Sequence, residues 1–454
     1  IGRQYLNVLV ITVINLMGSS IEGASVLGLP QWVDNIFLAT GVGMILTTIV
    51  VGQLAAQINS ANCMLDFINN YFMLFTTYVS LAIEYSGLLH CVYLVQIVFY
   101  KISGKPMESN ESPRSALQKG FFWGRVLMSL VILGFCFAVT VKALFDGKTG
   151  MWEGVPPSAS IVILFILMGV VGILEGMQIA LFTVVNMSDE DLRDHPVAHA
   201  NCQLTFSGQN LQAFLIGRQI LVATCMFVVA RIATPVYGDE DENIFGLGDG
   251  IQSFLDIGLT GAMITTVVGS LIWRVLASSF PLAFLSNPVI HIFIRLCLLL
   301  EKSGICSSAW ILARFNTAAA GYQLDKFYVK EDGAQAPKRT SRDEHIDLLL
   351  VILKFSYSTI LLVACVVVVH AAVFTEQTIA TRDLNIHPAV AFFIFWFLIV
   401  WLAMMEGGQG ALVGLQSIDK QKYAETHPRT LLNASIVHKG DNMERFIIGR
   451  QYLN

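Results

Sequence analysis

The sequence predicts an all-α polytopic membrane protein with about ten transmembrane helices arranged as two inverted five-helix repeats. Three observations carry that expectation. The 454 residues are 55% hydrophobic and only 13% charged, where a soluble globular chain has roughly one quarter charged. Runs of roughly 20 apolar residues, long enough to cross a bilayer, recur along the whole length. Finally, a set of motifs appears twice at matched spacing, and it includes charged residues that hydrocarbon tolerates only when they are partnered or functional.

In chain order the spans fall at about 4–17, running into a Gly/Ser break, then 36–58, 71–100, 121–145, 159–186, 211–234, 250–278, 282–301, 346–373 and 388–416. Polar stretches at 101–119, 187–210, 235–249, 303–345 and 417–446 separate the later ones. Lys142, Arg231, Arg274, Arg295 and Lys354 sit toward span ends, where long side chains reach headgroups, and Glu84 and Glu301 read as interfacial. If the spans alternate, six basic residues collect on one face and thirteen on the other, favouring the second as cytoplasmic. The eight cysteines (63, 91, 136, 202, 225, 297, 306, 365) form no C-x-x-C pair and read as membrane-buried hydrophobes.

Duplication is legible by hand. Pro157 stands eighteen residues before Glu175, and Pro388 eighteen before Glu406. His195-Pro196 lies twenty-two residues before Gly217, as His427-Pro428 does before Gly449. Asn201, Gly208, Asn210 and Phe214 match Asn433, Gly440, Asn442 and Phe446. Gly52 to Gly87 spans thirty-five residues, as does Gly269 to Gly304. Thr47-Thr48 and Thr265-Thr266 precede these pairs, and Glu-x-Ser-Gly (Glu84, Glu301) closes each. The resulting division is 1–216 for the first five-span repeat, 217–447 for the second, and 448–454 for the start of another. Residues 1–7 and 448–454 both read IGRQYLN. The simplest account is a piece of a tandem array, with an artificial or permuted chain as the alternative; segment 101–120 would then be a flexible link between copies.

The costly doubled residues are Glu175-Gly176-Met177-Gln178 with Gly217-Arg218-Gln219, and Glu406-Gly407-Gly408-Gln409 with Gly449-Arg450-Gln451. Gln4 is the N-terminal equivalent of Gln451. These pairs, in a ten-span chain, resemble the diatom silicon transporters, and Cys63-Met64-Leu65-Asp66 is similar to the CMLD tetrapeptide of pennate-diatom members. The resemblance covers the whole chain and implies sodium-coupled secondary transport of silicic acid. In the family's frame, residues 121–449 look like the first seven spans and the start of the eighth. Residues 2–100 look like the last three spans of a preceding copy, which would have to substitute for the missing ones.

Silicic acid is a neutral tetrahedron of hydroxyls, and a glutamine amide both donates and accepts. Gln178, Gln219, Gln409 and Gln451, with Gln4, are therefore expected to contact solute. Glu175 and Gln178 share a helix face, as do Glu406 and Gln409, and Gly176, Gly407 and Gly408 allow close helix approach. Glu175 with Arg218, and Glu406 with Arg450, read equally well as buried ion pairs that lock helices. Thr47, Thr48, Thr265, Thr266 and Ser270, near Gly52 and Gly269, are sodium-ligand candidates, although such side chains more often bond back to their own helix. Cys63 and Asp66 are weak metal candidates, too few for a closed site. His195 and His427 are expected to begin helices rather than sense protons.

No phosphate-binding loop, HExxH or G-x-S-x-G occurs, so neither an ATP-driven pump nor an intramembrane enzyme is expected. Partners are silicic acid, sodium and the lipid bilayer, with a homo-oligomer or tandem copies open and no nucleic acid. No cofactor is expected beyond sodium as coupling ion. The plasma membrane is the expected location and a vesicle membrane the alternative. Two competing functions are a passive channel for small hydroxylated solutes and a non-transporting silicic acid sensor.

Overall fold

Proline punctuates the helices. Pro157 and Pro388 open two long membrane helices, and Pro196 and Pro428 open two shorter ones. At a first turn the missing proline N–H costs nothing and the fixed φ suits a helix. His195 and His427 therefore begin helices, as the sequence suggests. The computed structural model describes residues 2–21, 23–104, 115–152, 154–185, 187, 189–235, 243–256, 258–325 and 341–439. Residues 105–114 of the expected link and all of 448–454, including Gly449, Arg450 and Gln451, lie outside them.

The main helices in chain order are α1 (Gly2–Gly18), α2 (Val42–Asn62), α3 (Tyr71–Ser86), α4 (Val92–Ser103), α5 (Ala116–Phe145), α6 (Pro157–Val184) and α7 (Pro196–Phe206). They continue as α8 (Asn210–Ala233), α9 (Leu259–Ser279), α10 (Pro288–Lys302), α11 (Ser308–Ala320), α12 (Ser341–Phe374), α13 (Pro388–Gly414) and α14 (Pro428–Val437). Seven helices among the described residues are long and apolar enough to cross a membrane: α2, α5, α6, α8, α9, α12 from Leu349 onward, and α13. The protein is an all-α integral membrane protein.

The stretches 71–100 and 282–301 are built differently from the single spans expected of them. The first breaks at Gly87 (φ 83°), whose N–H donates to the Glu84 carbonyl, leaving α3 and α4 as separate short helices. The second becomes a short helix Pro281–Leu285 followed by α10, which ends where Gly304 (φ 77°) donates to the Glu301 carbonyl. The repeated Glu-x-Ser-Gly is thus a left-handed helix stop. A hydroxyl clamps each turn: Ser129 donates to the Leu88 carbonyl and accepts from Cys91 N–H, while Ser358 donates to the Ile305 carbonyl and accepts from Ser308 N–H. Beyond the second turn, α11 occupies part of 303–345, which reads as a polar loop from composition alone.

Two compact units emerge from the contacts, one of residues 1–16, 75–298 and 436–454, the other of 17–74 and 299–435. In the first, α6 packs on α8 and α9 through Leu174, Met177, Phe214 and Leu271, all fully buried. In the second, α13 packs on α2, and α12 on the start of α2. The long helices α5, α6, α12 and α13 are each only 33% buried over their most apolar window, and they display residues such as Leu127, Phe165, Val363 and Phe393 to lipid. By contrast α2 and α9 are 78% and 72% buried. These two carry π-helical segments, Thr48–Leu54 and Val267–Leu271, and distorted backbone at membrane depth is tolerated where protein surrounds it.

Candidate functional site: a buried charge cluster and two distorted helices

Glycine sets the geometry of the first unit. A Cβ on Gly217 would fall within the radius of the Cys297 carbonyl oxygen, one on Gly172 would overlap the Trp273 indole, and one on Gly176 would lie 2.5 Å from the edge of Phe284. With no side chains there, α6, α8, α9 and α10 approach closely enough to bring three charges together. Arg218 Nη1 donates to Glu175 Oε1 at 2.9 Å. Arg274 Nε donates to Glu175 Oε2 at 2.8 Å, with its Nη2 reaching the same oxygen. Arg218 Nη2 donates in turn to Gln219 Oε1 at 2.7 Å. Glu175, Arg218, Gln219 and Arg274 are all buried, at 5% exposure or less. Arg218 Nε and Arg274 Nη1 are buried without a hydrogen-bond partner. The cluster thus holds one carboxylate between two guanidiniums, a net positive charge with spare donors. Gln178, one turn from Glu175, is half-buried.

Arg274 corrects the sequence reading, which put it at a span end among headgroups; it is a buried partner of Glu175. A signal for it existed. The interval of 217 residues relating Gly52 to Gly269 pairs Arg274 with Gln57, and in the second unit Gln57 Nε2 donates to Glu406 Oε2 at 3.2 Å. Glu84 is also corrected: it is buried, its Oε1 accepting from the Tyr93 hydroxyl at 3.3 Å and lying 4.0 Å from His90 Nε2.

The second unit repeats the packing of the first. Gly407 meets the Phe67 ring as Gly176 meets Phe284, and Phe67 and Phe284 are 217 residues apart. Asn433 Nδ2 donates to the Ile68 carbonyl at 3.2 Å as Asn201 Nδ2 donates to that of Leu285 at 2.9 Å, again 217 residues apart. Segment 42–74 therefore stands against α13 as 259–291 stands against α6. Gln409 is buried and Glu406 half-buried there. In the first unit Gly2 opposes the Ser80 carbonyl as Gly217 opposes that of Cys297. Gln4, two residues on, is buried with its Oε1 unpartnered.

The sodium candidates divide. Thr47 and Thr266 bond back to the carbonyls of Gly43 and Ala262 in their own helices, at 2.8 and 2.7 Å. Thr48 Oγ1 and Ser270 Oγ are buried without a partner, as is Gln53 Oε1, a residue the sequence reading passed over. Buried Thr265 lines a small cavity of about 10 Å³ with Thr12, Thr234 and Gly261.

Cys63 and Asp66 have local work instead. Asp66 Oδ1 lies 3.1 Å from His427 Nε2, and its Oδ2 accepts from Gln323 N–H at 2.7 Å. Burial, with the nearby carboxylates of Asp325 and Asp66, pushes the Cys63 thiol up to about 11, disfavouring the thiolate a soft metal needs. Among the described residues no group of three or more His, Cys, Asp or Glu is arranged to hold a metal.

A sequence comparison completes the identification. The family model described as silicon transporter matches residues 1–351 and again 345–454. The chain belongs to the silicon transporter family. No curated protein and no solved structure matched it. Membership makes this charge cluster, with its repeated glycine contacts, part of a silicon transporter's membrane interior.

Proposed function

We propose that the protein carries silicic acid across the plasma membrane together with sodium, its ten spans forming two inverted repeats and its motif glutamines contacting the solute. The observation that carries this reading is the buried Glu175–Arg218–Arg274–Gln219 cluster with unpartnered donors at Arg218 Nε and Arg274 Nη1. Unsatisfied buried donors are costly, and a solute made of hydroxyl oxygens would satisfy them. The Gln219 amide, whose oxygen is held by Arg218, keeps its N–H groups for the same purpose, and Gln178 on the Glu175 face adds a second amide.

Neutral silicic acid suits such a site. Each of its hydroxyls accepts from guanidinium or amide N–H and donates to an amide oxygen, so no charge need be buried with the substrate. The matched contacts of α6 and α13 support a second, related half-site around Glu406 and Gln409, completed by residues 42–74. Arg450 and Gln451, with Gln4 their N-terminal equivalent, belong to the same set.

The test is uptake into proteoliposomes under an inward sodium gradient. Gln178→Ala and Gln409→Ala are expected to cut silicic acid uptake at least about tenfold, the loss of one good hydrogen bond in a dry site, while monodispersity in detergent is unchanged. Normal uptake by both variants overturns the glutamine assignment. Uptake indifferent to sodium overturns the coupling.

A further inference from the structure

The two π-segments interrupt α2 and α9 at the same place in each half: Thr48–Leu54 and Val267–Leu271. A π-turn closes i→i+5 rather than i→i+4 bonds, so it carries residues five apart toward one side of the helix and loosens the carbonyl pattern. Such turns concentrate at functional positions. Thr48 and Gln53 are five apart, as are Thr265 and Ser270, and the 217-residue interval superposes one pair on the other.

All four side chains are buried, and Thr48 Oγ1, Gln53 Oε1 and Ser270 Oγ have no hydrogen-bond partner. Their neighbours Thr47 and Thr266 show what an ordinary membrane threonine does, each bonding to the carbonyl four residues back. Thr265 borders the cavity of about 10 Å³, room for about one water-sized occupant. Every exposed lone pair here belongs to a neutral oxygen. A divalent cation favours carboxylates among its oxygen ligands, whereas a singly charged hard cation is served by hydroxyl, amide and backbone oxygens alone, with no buried carboxylate left behind when it departs.

We propose that these π-turns seat the coupling sodium: Thr48 Oγ1 and Gln53 Oε1 form the principal seat in α2, and Thr265 and Ser270 a weaker counterpart in α9. The amide oxygen of Gln53 is the stronger acceptor and reaches further than the Ser270 hydroxyl, which sets the order of affinity. The inference rests on the sodium-coupled reading above and assigns the residues that would carry it.

The experiment measures the sodium dependence of silicic acid uptake in proteoliposomes, with choline replacing sodium at constant ionic strength, and the sodium-induced shift in melting temperature. Gln53→Ala is expected to raise the half-saturating sodium concentration about tenfold and Ser270→Ala about threefold, equivalent to roughly 1.4 and 0.7 kcal/mol. The KM for silicic acid at saturating sodium should stay within about twofold of wild type, which separates a sodium ligand from a solute ligand or a general packing defect. Gln53→Glu, which keeps the oxygens and adds charge, is expected to lower the half-saturating concentration, and it carries the test together with Ser270→Ala if Gln53→Ala does not fold. Sodium-dependent wild-type uptake with unchanged half-saturation in these variants overturns the site while leaving the symport reading intact. Wild-type uptake that is the same in choline overturns both.

Discussion

Glu175→Gln is the sharpest probe of the buried cluster. It keeps the side-chain volume and removes the charge, so Arg218 and Arg274 lose the carboxylate that separates them. Two guanidiniums roughly 5 Å apart at an effective dielectric near 20 repel by about 3 kcal/mol. That agrees with the 3–5 kcal/mol typical of breaking a buried ion pair by removing one partner. Arg274→Met acts differently, because it leaves a neutral Glu175–Arg218 pair; it should cost less than half as much. In the combined Glu175→Gln/Arg274→Met variant one guanidinium remains beside the Gln219 oxygen that already accepts from it. The double variant should therefore recover at least about 2 kcal/mol relative to Glu175→Gln, as coupled neighbours do in a double-mutant cycle. The assay is thermal melting in detergent followed by size exclusion. At roughly 2 °C or more per kcal/mol, Glu175→Gln should melt at least about 6 °C below wild type, with Arg274→Met and the double variant between them. A Glu175→Gln protein melting within about 2 °C of wild type, or a double variant no better than it, would refute the reasoning that these charges hold the unit together.

Two further outcomes follow from the packing. Gly217→Ala places a methyl against the Cys297 carbonyl, which cannot swing aside; about 1–3 kcal/mol or more of overpacking should cut the folded yield, whereas Gly176→Ala, facing the movable Phe284 ring, should be milder by the same size-exclusion measure. Ser129→Ala and Ser358→Ala each leave a buried N–H and a carbonyl unclamped at a helix break. Each should lower stability by about 1–3 kcal/mol, and hydrogen exchange at Cys91 and Ser308 should speed up in step.

Much of this was open to reading in the chain. The apolar runs give membrane helices because a span needs only length and hydropathy, both local properties. Motif spacing gives the doubling, and the matched contacts of Asn201 with Asn433 and of Gly176 with Gly407 show that spacing carries packing with it. Arg274 was harder. Its position near the end of an apolar run fits a residue reaching for headgroups, and its burial depends on α6 presenting Glu175 across glycines a hundred residues away. The helix breaks at Gly87 and Gly304 were marked by Glu-x-Ser-Gly, yet hydropathy runs straight through the first of them.

The amino-acid order by itself determined that this chain lives in a bilayer, is built twice over, and bears the motifs of silicon transporters, because each of these is written in composition or in spacing. Tertiary structure alone decided which charges meet, where two buried helices loosen into π-turns, and which oxygens are left without a donor. Those outcomes depend on distances between helices far apart in sequence, and such distances are fixed by how glycine-lined faces close on one another.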